Sequence, residues 1–163
     1  SATGPDLRVI LAEACIPLID RCLPLLKDEN VDEIEQDESQ ATYCRKLRKI
    51  DGALDFSLSA EELSRRIRAF RSWPGSFFEH FGNRIRVGDA NPYQQSSLKV
   101  GEISRTESGM LIIGTGTCAL QINLLQKPGG KMLSSADFLR GYKMAKGFIL
   151  DFEPSMSLLR AGD

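Results

Sequence analysis

The chain holds one histidine and one tryptophan in 163 residues. His80 is therefore the sole support for any His-dependent mechanism. Cys15, Cys22, Cys44 and Cys118 form no C-x-x-C pair, and a single histidine cannot complete a Cys/His zinc set. Cys15 and Cys22 share a helix face but lie too far along it to bridge readily. Free, partly buried thiols in a reducing cytosol are expected. No apolar run approaches the roughly 20 residues that span a bilayer. The longest, Ile16 to Leu26, is broken by Pro17, Asp20, Arg21 and Pro24. Ser1 to Asp6 lack the basic region and apolar core of a secretory signal. Without an initiator Met, the chain reads as a processed product or a fragment.

What is present is ordinary in bulk and uneven in detail. With 42% hydrophobic and 26% charged residues, wholesale disorder is excluded, and the length suits one domain plus an appendage. The net charge of -1 conceals a segregation. Residues 1–39 carry 3 bases and 10 acids, a net -7, whereas residues 40–163 carry 18 bases and 12 acids, a net +6. Ending at Leu150 leaves 17 bases and 9 acids, or +8, the profile of a polyanion binder as much as of a generously charged surface.

Local patterns divide the chain. Thr3 and Asp6 bracket Pro5 in a capping pattern that opens a helix rich in Leu and Ile, with Pro17 and Pro24 expected to kink or split it. Its apolar surface is wider than one helix needs. Residues 28–38 hold seven acids and no bases, the signature of a solvated connection. The sign reverses at Arg45, Lys46, Arg48 and Lys49. Leu54 to Leu58 alternate as a strand does, and Ser59-Ala60-Glu61-Glu62 forms a capping box. That box opens a helix with Leu63, Ile67 and Phe70 inward and Arg65 and Arg68 projecting opposite Leu63. Phe77–Phe81 and Arg84–Asp89 read as a hairpin turning at Gly82-Asn83, with Ile85 and Val87 on one face. Leu98–Ser104 and Met110–Gly114 flank a Glu107-Ser108-Gly109 turn. Leu120, Ile122 and Leu124 alternate in a further strand. Lys127 to Lys131 form a basic, Gly-rich loop, and Ser134 caps a last short helix. Short strands with glycine turns point to a small barrel.

Catalytic signatures are absent. Gly114-Thr115-Gly116-Thr117-Cys118-Ala119 has G-x-G-x-x-A spacing, but the alternating residues after it make a hairpin turn the better reading than a dinucleotide site. His80, among Phe77, Phe78 and Phe81, reads as a surface or half-buried structural histidine. Ser157-Leu158-Leu159-Arg160 reads as part of a loose tail.

Several blocks together carry a resemblance. Gln36-Asp37-Glu38 with Ala41-Thr42-Tyr43-Cys44-Arg45-Lys46-Leu47 resembles the linker of the methionyl-tRNA formyltransferase family. Asp51-Gly52-Ala53-Leu54-Asp55-Phe56-Ser57, then Ile67-Arg68-Ala69-Phe70 with Trp73-Pro74-Gly75, then Gly130-Lys131 through Tyr142 are similar to three later blocks of that family. The resemblance runs from about residue 3 to 150. It implies a β-rich α+β fold: an OB-like β-barrel with short flanking helices, plus an N-terminal helix left over from a Rossmann-like domain. The implied segments are 1–38 (last helix and acidic loop of the N-terminal domain), 39–52 (basic linker), 53–150 (barrel) and 151–163 (tail). The family's active site lies in the missing catalytic domain, and none of its Asn, His and Asp has a counterpart here, so no catalytic, cofactor-binding or metal residue transfers.

The function so implied is the tRNA-binding C-terminal region of a cytoplasmic enzyme. That enzyme formylates initiator Met-tRNA with 10-formyltetrahydrofolate as cosubstrate. Candidate phosphate contacts are Arg45, Lys46, Arg48 and Lys49 in the linker, Arg65 and Arg68 on the helix, and Lys127 and Lys131 in the loop. The expected parent is monomeric and no membrane is involved; the helix at 7–26 is a candidate self-association surface. Two alternatives remain. One is the C-terminal domain of a related formyltransferase or formyl-folate hydrolase acting on a sugar nucleotide or folate; the other is a stand-alone interaction module.

Overall fold

The structure, a computed structural model, describes residues 2–27, 34–94 and 97–159. The chain divides into two compact units, residues 1–46 with 157–163, and residues 47–156. Most of the acidic run falls at 28–33, outside the described residues, as do Arg160 and the residues after it.

The first unit begins with helix α1, Gly4–Lys27. Thr3 and Asp6 close its N-terminus reciprocally: the Thr3 amide and hydroxyl donate to Asp6 Oδ2 at 2.9 and 2.7 Å. The expected break at Pro17 and Pro24 does not occur, and the helix is continuous. Each proline removes one amide from the ladder, and the hydrogen bonds on either side carry the helix past it. None of the α1 side chains is buried, so Cys15 and Cys22 are exposed rather than partly buried. Cys44 is exposed too, and Cys118 alone is half-buried; all four are free thiols. Residues 157–159 are not loose. Leu159 bridges Cys44 in antiparallel fashion, and the Arg45 amide donates to the Leu158 carbonyl at 3.0 Å. Backbone groups that pair with a partner strand are satisfied whatever the polarity of their side chains.

The second unit is a six-stranded antiparallel sheet flanked by two helices, an α+β arrangement. Its elements are α2 (Ala60–Ala69), β1 (Ser76–His80), β2 (Asn83–Tyr93), β3 (Ile103–Arg105), β4 (Leu111–Gly114), β5 (Ala119–Gln126), β6 (Leu133–Ser134) and α3 (Ser135–Gly141). The strand order is β1-β2-β5-β4-β3, and β6 also pairs β5. Helix α2 starts where the Ser59 hydroxyl accepts from the Glu62 amide at 3.1 Å. It buries Leu63 and Ile67 in one core with Phe56, Ile85, Val87, Leu120 and Ile122.

Several local expectations shift. The β1–β2 turn sits at Phe81-Gly82, because His80 pairs with Asn83 and both central residues have positive φ, 49° and 72°. That is the twist a two-residue hairpin requires. Phe81 adopts the conformation without being glycine; its ring packs on His80 and Phe148, with centroids 4.5 and 5.0 Å away. Leu54 to Leu58 are not a strand. The Asp55 carboxylate captures the Ser57 amide at 3.0 Å and bends the chain into a turn that still buries Leu54 and Phe56. The third strand is shorter than Leu98–Ser104, covering Ile103–Arg105. On β5 the inward residue near the end is Leu125 rather than Leu124, because irregularities at Val87–Asp89 and Asp89–Ala90 shift the register. Gly116 belongs to the β4–β5 turn, where an added Cβ would lie 2.1 Å from the Ser57 carbonyl oxygen, so glycine serves close backbone approach there.

Candidate nucleic-acid interface

The sheet sorts the basic side chains by their freedom. Along β2, Ile85 and Val87 face the core while Arg84 and Arg86 face solvent. Arg84 is committed: its Nε lies 3.0 Å from Glu79 Oε1, and its guanidinium stacks 4.0 Å from the Phe77 ring centroid. Arg86 is exposed and pairs in register with Gln126, the last residue of β5. The next residues are the basic loop. Its turn is closed by the Gly130 amide on the Lys127 carbonyl at 3.0 Å and by Gln126 Nε2 on the Gly130 carbonyl at 2.7 Å. Lys127 and Lys131 are exposed on either side of this turn. The structure thus sets Arg86 beside the loop carrying Lys127 and Lys131. The sequence signal for Arg86 is the Arg84-Ile85-Arg86-Val87 alternation, which puts both arginines on the face opposite the buried Ile85 and Val87.

The remaining candidates differ in their surroundings. Arg65 is exposed on α2. Arg68 is half-buried, its Nη1 donating to Ser64 Oγ at 3.0 Å while its Nε is buried without a partner. Arg48 is exposed and donates to Met156 Sδ at 3.0 Å, and Lys49 is exposed at the start of a short 3-10 turn. Arg45 and Lys46 belong to the first unit. Arg45 Nε donates to the Ser157 carbonyl at 3.0 Å and its Nη1 to the Lys46 carbonyl at 3.2 Å, whereas Lys46 is exposed. Arg45 and Arg68 therefore already serve neighbouring protein acceptors, whereas Lys46, Lys49, Arg65, Lys127 and Lys131 project into solvent.

His80 is buried, at 2% exposure, deeper than a half-buried residue. Its Nδ1 lies 3.1 Å from the Tyr142 hydroxyl, and its Nε2 is buried with no partner. Burial lowers its pKa, keeping the ring neutral. This is a packed aromatic cluster, with no serine, threonine or cysteine hydrogen-bonded to the ring among the described residues. Nor do the described residues contain a group of three His, Cys, Asp or Glu able to hold a metal ion. Among them, no helix is long and apolar enough to cross a membrane.

Fold and surface together define an antiparallel α+β domain with Arg86, Lys127 and Lys131 exposed around the loop between β5 and β6. Residues 46–143 match the family described as Formyl transferase, C-terminal domain, and the chain belongs to that family. It is 36% identical to a methionyl-tRNA formyltransferase of Treponema denticola, over 86% of this chain and 46% of that protein. It is 37% identical to one of Carboxydothermus hydrogenoformans, over 89% of this chain and 47% of that protein. The chain thus spans about half the length of the curated relatives it matches. A solved HypX variant from Aquifex aeolicus superposes with a TM-score of 0.59 over 93% of this chain and 30% of that one. At 19% identity, that likeness shows a shared fold alone.

Proposed function

We propose that this chain is the C-terminal, tRNA-binding region of a methionyl-tRNA formyltransferase. The parent is a monomeric cytoplasmic enzyme that transfers a formyl group from 10-formyltetrahydrofolate to the Met amino group of initiator Met-tRNA. The observation that carries the reading is the 36% identity over 86% of the chain with a protein of that name. Catalysis and folate binding are assigned to the part of the relatives' length that this chain does not span. This region holds the tRNA through cations on phosphate, which positions the acceptor end without reading sequence. Unit two supports the role with 15 Lys and Arg against 11 Asp and Glu, a net +4.

Phosphate contacts release counterions, so affinity falls with salt by a log–log slope of about 0.7–0.9 per contact. Binding of fluorescent initiator tRNA, measured by anisotropy from low to physiological salt, is expected to show a slope of several. Replacing Lys127 and Lys131 with Ala lowers the slope by about 2 if both are contacts, and Lys46, Lys49 and Arg65 by about 1 each. A salt-independent affinity, or a slope untouched by all five replacements, sinks the proposal.

A further inference from the structure

A cavity of about 660 Å³ opens in the second unit between β1 and residues 151–156. Its size is within the ~300–1,000 Å³ typical of ligand pockets. Its floor is apolar and closed: Leu54, Phe77 and Phe78 are buried. Its mouth is apolar and open, with Ile50 58% and Met156 63% exposed. An apolar floor under exposed apolar side chains, ringed by polar groups, is the anatomy of an anchor site in a protein interface.

The charges at this cavity identify the partner. Its cations are already committed to protein acceptors. Arg84 pairs with Glu79, and Arg66 donates to Ser155 Oγ at 3.1 Å and to the Asp51 carbonyl at 3.4 Å. The carboxylates of Asp151 and Glu153 line the same cavity, are exposed, and make no hydrogen bond or ion pair among the described residues. Over the whole lining, Arg66 and Arg84 stand against Asp51, Glu79, Asp151 and Glu153, a net charge of -2. A phosphate-bearing ligand would meet unpaired carboxylates here, which disfavours this cavity as part of a tRNA surface.

We propose that this cavity docks a short peptide segment of a protein partner, with an aliphatic side chain on the Leu54–Phe77–Phe78 floor and Lys or Arg flanks facing Asp151 and Glu153. The proposal does not depend on the function proposed above.

The test is a titration of the isotope-labelled full chain, followed by amide NMR shifts, with acetyl-Lys-Lys-Leu-Leu-Lys-amide. Saturable shifts at Ile50, Leu54, Phe77 and Phe152 are expected. The Glu-Glu-Leu-Leu-Glu and Lys-Lys-Ser-Ser-Lys counterparts should bind about tenfold or more weakly. Combining Asp151→Asn with Glu153→Gln should raise Kd about three- to tenfold for the basic peptide, because two exposed pairs are lost. Both side chains are exposed, so the urea midpoint should stay unchanged, which separates lost docking from lost folding. No shifts at millimolar peptide, equal binding of the acidic peptide, or the same shifts from spermidine or a short oligonucleotide would each overturn the assignment.

Discussion

Replacing Asp55 with Asn changes one atom of a side chain that joins parts of the second unit 100 residues apart. The Asp55 side chain is buried, at 4% exposure, and accepts from the Ser57 amide at 3.0 Å, the Ser57 hydroxyl at 2.5 Å and the Ser155 amide at 2.7 Å. Burial alone would raise its pKa; the hydrogen bonds from Ser57 and Ser155 outweigh burial and hold the carboxyl below its ordinary 3.8. Asn keeps one acceptor for Ser57 but turns an NH2 toward the Ser155 N–H. A hydrogen bond to a charged group is worth about 1.5–3 kcal/mol, and a stranded buried donor costs about 1–3 kcal/mol. Ser155 is half-buried, so water rescues part of that cost, and the expected loss is about 2–3 kcal/mol. For a unit of this size that lowers Tm by roughly 8–15 °C. Urea unfolding followed by Trp73 fluorescence and circular dichroism measures it. The sign with pH is fixed. A carboxyl whose folded pKa is depressed contributes fully above its unfolded value of 3.8, and the contribution is lost as pH falls through the lower folded value. The gap between wild type and Asp55→Asn must therefore narrow below about pH 4. A loss under about 0.5 kcal/mol at pH 7, or a gap that stays constant into acid, refutes the reasoning.

Other outcomes follow from the same geometry. Gly52→Ala places a Cβ 1.9 Å from the Gly75 carbonyl oxygen, so backbone must move and the cost should exceed about 3 kcal/mol. Gly82→Ala meets nothing within 4 Å and carries only the strain of φ +72°, about 1–2 kcal/mol. Equal urea midpoints for the two variants would refute the close approach at Gly52. His80 is held neutral by burial, so its contribution is complete above the unfolded pKa of 6.5 and is lost as pH falls from there through the depressed folded value. The slope it adds is at most ~1.4 kcal/mol per pH unit, and His80→Phe should remove it; identical stability slopes between pH 5 and 7 in both proteins would exclude the effect.

The features legible in the sequence were those that a few neighbouring residues decide. The Thr3–Asp6 and Ser59–Glu62 caps, the inward stripe of α2, and the β1–β2 hairpin each close within a handful of positions. The errors arose where distant groups intervened. Leu54–Leu58 alternates like a strand, but Asp55 finds Ser57 and Ser155 and turns the chain. The Leu124–Leu125 choice depends on irregularities shared between β2 and β5. Residues 157–159 look like a polar tail until Cys44 and Arg45 supply a pairing edge. Of the candidate phosphate contacts, sequence could name basic residues but could not tell Lys127, in open solvent, from Arg68, already holding Ser64.

Two of the blocks that carry the family resemblance, at Asp51–Ser57 and Trp73–Gly75, meet in space, and they do so as scaffolding. The Asp51 carboxylate caps the 3-10 turn by accepting from the Arg48 amide at 2.6 Å. A Cβ at Gly52 would lie 1.9 Å from the Gly75 carbonyl oxygen, and one at Gly75, where φ is +79°, would lie 2.7 Å from the Arg86 guanidinium. Phe56 fills the core between Phe78 and Phe152. These residues decide where backbone touches backbone and how the core closes. Their match accounts for the fold, while the proposed tRNA binding rests on side chains that the fold leaves free. Shortening Lys127 and Lys131 leaves these closures in place, and shortening Arg86 removes only its contact with Gly75. If this division holds, replacing all three with Ala should leave the urea midpoint within about 0.5 kcal/mol of wild type while weakening tRNA binding and flattening its salt slope. A triple variant that unfolds instead would place the cations in the scaffold and remove the ground for assigning them to tRNA.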